Sequence, residues 1–158
     1  MPIRLTQAVI IAVLVFAVAA LGQAATFPNL APWYASLHKP PFNPPNWLFG
    51  PVWSTLYVLM AYGAWRISGL PRETPGVRLA LAAWAVQLVL NGAWSWLFFA
   101  GHSPFLGLVD IVPQFLAIIA TIGLFARLDR PAAACIVPLA CWVAFAGLLN
   151  VSIWQLNR

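Results

Sequence analysis

The side chains best equipped for chemistry in this chain are aromatic rings and amides, not acids, bases or thiols. Nine tryptophans are spread over 158 residues, and three of them, Trp53, Trp94 and Trp142, fall within long apolar runs. Gln87, Asn91 and Ser95 are spaced i, i+4, i+8, so on a helix they form one polar stripe, with Trp94 and Phe98 beside it. Asp110 and Gln114 repeat the i, i+4 spacing, and Asn150 lies two turns beyond Trp142. Such a set can hold a flat or bulky apolar molecule between rings while meeting a few of its polar atoms. It offers no nucleophile with a base beside it, no triad and no metal cluster. Cys135 and Cys141 are six residues apart, on different helical faces, and read as small core residues. His38 and His102 read as solvated loop residues.

The elements that must position these groups follow from composition. Of the chain, 63% is hydrophobic and 7% charged, with eight Lys/Arg against three acids and a net charge of +5. A soluble domain carries about 25% charged residues, so a soluble enzyme and a disordered chain are excluded. The positive balance reflects scarce acids rather than a basic cluster, so nucleic acid is not an expected partner. The expected solvent is the lipid bilayer. A spanning helix needs about 20 mostly apolar residues, and five segments qualify, at about 5–22, 46–65, 78–100, 104–126 and 131–154. The expected fold is an all-α membrane protein, a five-transmembrane-helix bundle forming a single domain over 1–158. Ser103-Pro104 and Arg130-Pro131 look like helix starts, while Pro51, Pro113 and Pro138 fall inside spans and should kink them. Arg4, an apolar stretch and Gly22-Gln23-Ala24 also allow a cleaved signal peptide, but four further spans favour a first membrane helix.

Polar groups in hydrocarbon must face protein or a cavity. At 1.5 Å per residue, Trp53, Asn91, Trp94 and Asp110 all lie roughly 9–14 Å from the side of the first loop; Trp142 and Asn150 occupy the same half of the fifth span. The loop itself, residues 23–45, holds six prolines, which stiffen the free chain. Pro32 can open a short helical piece reaching His38, which Pro40 must end. Trp33, His38, Lys39, Pro40, Pro44 and Pro45 therefore describe a stiff lid, with an interfacial aromatic belt as the alternative for Trp33 and Trp47.

The run Trp33-Tyr34 through Leu37, Lys39-Pro40, Pro44-Pro45, Trp47, Phe49, Pro51-Val52-Trp53, Leu56-Tyr57 and Leu59-Met60 resembles the TspO/peripheral benzodiazepine receptor family, the tryptophan-rich sensory proteins. Gln87-Leu88, Leu90-Asn91, Trp94, Phe98-Phe99 and Trp142-Val143, Phe145-Ala146, Leu149-Asn150, Ile153, Leu156-Asn157 extend the resemblance over nearly the whole chain. It implies a five-helix membrane fold with a pocket under the first loop. It also implies porphyrin-type small molecules, protoporphyrin IX or haem among them, as ligands rather than required cofactors, as well as drug-like isoquinoline carboxamides, and commonly a homodimer. The pocket residues it implies are Tyr34, Trp53, Asn91, Trp94, Trp142, Ala146 and Leu149, to which Phe98 and Asn150 add themselves by position. Sterol binding, a property of animal relatives, is associated with a Tyr where this chain has Trp154.

The expected function is thus a membrane binding protein or sensor for tetrapyrroles, linked to their regulation or to stress. The alternatives are an enzyme that oxidises bound porphyrin through Trp53, Trp94 or Trp142, and a transporter; the latter usually shows internal repeats or several intramembrane charges. Lys39 is placed to pair with a propionate. Orientation follows from Arg and Lys. Arg4, Arg66, Arg72, Arg78, Arg127 and Arg130 lie on one side of a five-span chain, and Lys39 and Arg158 on the other. In a bacterial cell membrane this places the N-terminus in the cytoplasm and the C-terminus outside. A reporter fused after Arg158 should accordingly be active only outside the cytoplasm; cytoplasmic activity would reverse the topology.

Overall fold

Hydrocarbon offers no partner for backbone N–H and C=O groups, so an apolar chain in lipid bonds them within itself as helix. The computed structural model describes residues 2–71 and 73–158, and among them there is no strand. Five long helices follow one another: α1 Pro2–Thr26, α2 Asn46–Ser68, α3 Val77–Ser95, α4 Pro104–Ala126 and α5 Arg130–Leu156. Arg72 of the charge count lies outside the described residues.

The starts of α4 and α5 are those the prolines indicate. Ser103 Oγ accepts from the Leu106 N–H at 3.2 Å, and Asp129 Oδ1 accepts from the Ala132 N–H at 3.0 Å, each supplying one orphan donor of a first turn. Two expected boundaries move. The first helix does not stop at Gly22 but runs to Thr26 and continues through a tight turn, Phe27–Asn29, and a wider one, Leu30–Tyr34. Side chains support this extension: Thr26 Oγ1 donates to the Gly22 carbonyl and Asn29 Nδ2 to the Ala25 carbonyl, each at 2.8 Å. The helical piece that Pro32 opens closes at Ser36 rather than His38; Lys39 precedes a proline and is biased towards extended backbone. α3 likewise continues beyond Ser95 in a wide turn, Trp96–Ala100.

Four helices are long and apolar enough to cross a membrane: α1 with its extension, α3 with its extension, α4 and α5. α2 matches them in length but is diluted by Asn46, Ser54, Thr55, Arg66 and Ser68. Its two mid-helix hydroxyls are satisfied locally, Ser54 on the Gly50 carbonyl and Thr55 on the Pro51 carbonyl, both at 2.9 Å.

The core is built by α2 to α5. Met60, Ala64 and Ile67 meet Trp84 and Leu88, Ile118 and Phe125, and Ile136, Leu139 and Val143. The first helix contributes Ile11 and Val15 to this cluster, with Val18 packed against it, and its Val9, Val13 and Phe16 are exposed. It seats on α3, where a Cβ on Gly92 would come within 3.0 Å of Val18 and one on Gly22 within 3.3 Å of Ser95. Its hydrogen bonds to α2 and the turn after it gather at the end remote from the first loop. There Gln7 Nε2 donates to the Ser68 carbonyl at 2.8 Å, Trp65 Nε1 to the Arg4 carbonyl at 3.2 Å, and Arg4 to the Gly69 carbonyl at 3.3 Å.

At the same end Arg66 meets Asp129 at 2.8 Å. The guanidinium holds the Asp129 carboxyl below the usual carboxylate range. A lowered value means that this contribution is complete above the unfolded pKa of about 3.9 and is lost as pH falls through the folded value. Asp129 thus caps α5 and ties it to α2. Asp129→Ala should cost about 1 kcal/mol through the lost cap, Asp129→Asn less because an amide still caps. Thermal unfolding in detergent at neutral pH, followed by tryptophan fluorescence, should rank the two variants in that order.

Candidate ligand-binding site

On α2, Phe49, Trp53 and Tyr57 recur every fourth residue and so share a face; on α3 and its extension, Asn91, Trp94, Ser95 and Phe98 do the same. α5 presents Trp142, Ala146, Leu149 and Asn150. These surfaces surround a cavity of about 820 Å³, towards the upper end of the range for small-molecule pockets. Tyr34, Trp53, Asn91, Trp94, Phe98, Trp142, Ala146, Leu149 and Asn150, the nine candidates from the sequence, all line it.

Its walls are mutually braced rings. Trp94 stacks on Phe98 with centroids 4.8 Å apart, Trp53 leans on Tyr57 at 5.6 Å, and Phe49 meets Trp142 edge-on at 5.8 Å. Two amides are set among them. Tyr57 donates its hydroxyl to Asn91 Oδ1 at 2.8 Å, which fixes the amide and leaves Nδ2 buried without a protein partner. Trp94 Nε1 donates to Asn150 Oδ1 at 3.2 Å, and Asn150 Nδ2 donates to the Pro104 carbonyl. α4 can approach this closely because residue 107 is glycine: a Cβ there would lie 2.9 Å from both Asn150 Oδ1 and Phe98.

The first loop covers one end of the cavity and adds part of its wall. Trp33, His38, Lys39, Pro40, Pro44 and Pro45 do not line the cavity, whereas Leu30, Tyr34, Asn46 and Trp47 do. Trp33 packs edge-on against Phe98 at 5.5 Å and stacks on His102 at 4.7 Å. The His102 ring also pairs with Asn29 Oδ1 at 2.7 Å. Tyr34 packs against Phe99 and donates to Asn43 Oδ1 at 3.4 Å. The far end of the loop is held by Asn157, which accepts from the His38 N–H at 2.9 Å and donates to the His38 carbonyl at 2.8 Å.

One expectation changes. Lys39 does not reach the cavity: its ammonium sits 4.5 Å over the Tyr34 ring and donates to the Leu37 carbonyl at 3.1 Å. His38 and His102 also lie outside the lining, the former on the surface and the latter committed to Trp33 and Asn29. Asp110 is buried but does not line the cavity, whereas Gln114, one turn on, does. Among the described residues no Asp, Glu, Lys, Arg or His belongs to the lining, and no group of three or more His, Cys, Asp or Glu could hold a metal. The contribution of α1 went unread in the sequence, because Ala12, Phe16, Ala19 and Ala20 sit in a run that is apolar all round. The Asn157 clamp was also missed; its signal was a lone amide at a helix end.

An all-helical membrane protein with an uncharged, aromatic-walled cavity beneath an ordered loop is the class that this geometry defines. The TspO/MBR family model matches residues 10–155, and the chain belongs to that family. It is 44% identical over 131 residues to a tryptophan-rich protein TspO of Chlorobaculum tepidum, covering 82% of this chain and 83% of that one. It is 46% identical over 125 residues to protein CrtK of Rhodobacter capsulatus, with 79% and 78% covered. Identity to the translocator protein of Bos taurus is 40% over 130 residues, with 80% and 75% covered. This is an integral membrane protein of that family.

Gly107→Ala tests how tightly the amide network is seated. The added methyl must displace Phe98 or Asn150, an overpacking that typically costs 1–3 kcal/mol. Gly123→Ala, where the new Cβ meets nothing within 4 Å, should be neutral or slightly stabilising in the same thermal-unfolding measurement.

Proposed function

We propose that this protein is a membrane binding protein or sensor for porphyrins, protoporphyrin IX and haem-like tetrapyrroles among them, and for other bulky hydrophobic ligands, serving tetrapyrrole regulation or a stress response. The supporting observation is the cavity: about 820 Å³, walled by Trp53, Trp94 and Trp142, with Asn91 Nδ2 a buried amide donor that has no protein partner. Flat rings match the aromatic walls, and Asn91 answers one acceptor on the ligand. Because the lining carries no ionised side chain, the apolar macrocycle belongs inside and the carboxylates at the polar rim. Burying a charge without a partner is costly.

In this reading α2 is the fifth span. Its 23 residues reach about 35 Å, enough for a hydrocarbon layer of about 30 Å, and Ser54, Thr55, Arg66 and Ser68 find hydrogen-bond partners within the protein. The N-terminus is then cytoplasmic in a bacterial cell membrane and the covered end of the cavity faces outward. Three tryptophans on the wall also favour a second reading, in which light or an added oxidant degrades a bound porphyrin. Titration with protoporphyrin IX in the dark and then under illumination separates the two, since only the second yields new absorption bands.

Removing one wall tests the site directly. Trp53→Ala removes aromatic contact worth roughly 1–3 kcal/mol and should weaken protoporphyrin IX binding by about ten-fold or more. Trp65→Ala, at the far end of the same helix and outside the lining, should leave affinity unchanged in a fluorescence-quenching titration. Equal losses from both variants would misplace the pocket.

A further inference from the structure

The first loop closes the top of the cavity, yet the side is open. On α1 the lining residues Phe16 and Gln23 are also exposed on the outside of the protein, and on α2 the same holds for Gly50, Ser54 and Val58. Phe16 is 74% exposed and Val58 67% exposed, although both line an internal cavity. One stripe on each helix thus faces both the cavity and the surroundings, so the space between the outer halves of α1 and α2 is a seam rather than a packed contact. Helix seating explains it. α1 rests on α3 through Gly22 and Gly92, and its described hydrogen bonds to α2 and the following turn lie at the opposite end, at Arg4, Gln7 and Trp65.

Counting from the outer end of each helix at 1.5 Å per residue, Ser54, Phe16 and Val58 lie roughly 12, 15 and 18 Å deep. The hydrocarbon layer is about 30 Å thick, so the seam opens into the outer leaflet and not into water.

We infer that the seam between α1 and α2 is the passage by which ligands move between the outer leaflet and the cavity. This rests on the binding function proposed above and adds a ligand class. The protein takes molecules that already partition into lipid, with an apolar body and polar edges that can remain near Gln23 and Asn46 at the interface. The loop covers the top, and the seam lies between two helices whose described hydrogen bonds are at their far ends.

Narrowing a passage raises the barrier to entry and to exit alike, so it slows association as well as release. A Cβ on Gly50 meets nothing within 4 Å, and Ser54 is exposed; Gly50→Phe and Ser54→Phe therefore obstruct the seam independently of each other. The protein, reconstituted in phosphatidylcholine nanodiscs, is mixed with protoporphyrin IX in a stopped-flow instrument, and tryptophan quenching is followed. Each variant should slow both association and release by about five-fold or more, unlike ordinary site variants, whose effects fall mainly on release. Leu79→Phe, an equally lipid-facing change on α3, should match the unaltered protein.

Rates unchanged in both seam variants would overturn the inference. So would faster release with unchanged association, which would make these residues merely wall. An Asn157→Ala variant that speeds both rates while the seam variants have no effect would assign the route to the loop. If the unaltered protein shows no quenching, the porphyrin reading fails, and this inference with it.

Discussion

The fold around the cavity depends on amides that have no water to turn to. Asn150 accepts from Trp94 on α3 and donates to the first-turn carbonyl of Pro104 on α4, so one side chain on α5 joins three helices beside the pocket. In hydrocarbon an unmet polar group costs more than the modest worth of any single bond, so the three helices are held in the arrangement that satisfies Asn150. Asn91 extends the same logic one step further. Its oxygen is engaged by Tyr57 and its nitrogen has no protein partner, so the group that joins α2 to α3 also leaves an unmet donor on the cavity wall.

Charge is arranged in the complementary way. The one ion pair found among the described residues, Arg66 with Asp129, sits at the end remote from the cavity, where it binds α2 to α5. Lys39 is neutralised as a ligand group by its place over Tyr34. The middle of the bundle is left to rings and neutral amides. A neutral interior spares any guest the cost of desolvating a charged side chain on binding, and leaves shape and a few hydrogen bonds to discriminate between guests.

What the sequence disclosed followed from periodicity and from residue rarity. Amides and tryptophans inside apolar runs are expensive to place, so their i, i+4 recurrence on the third span and their shared depth identified three of the cavity's walls. Tyr34, Ala146 and Leu149 became visible only through family resemblance, because a buried Ala or Leu reads the same in any helix. The share of α1 was illegible for a related reason: a helix that is apolar on every face gives no phase to assign. The loop's stiffness was readable from its prolines, but its attachments were not. Those attachments use backbone atoms of His38 and the ring of His102, and long-range partners of that kind leave no local pattern. Helix ends were misjudged where side chains, Thr26 and Asn29, prolonged a helix past an apparent stop.

The clasp between Asn157 and His38 joins positions 119 residues apart. Loop closure on that scale comes late in folding, and chains made from the N-terminus settle their early segments first. Every wall helix can therefore be inserted and packed while the outer covering still lacks its fastening. The cavity is sealed at its top only when residue 157 has been synthesised and α5 has reached its full length, which makes the covered pocket one of the last features of the molecule to be completed during biogenesis.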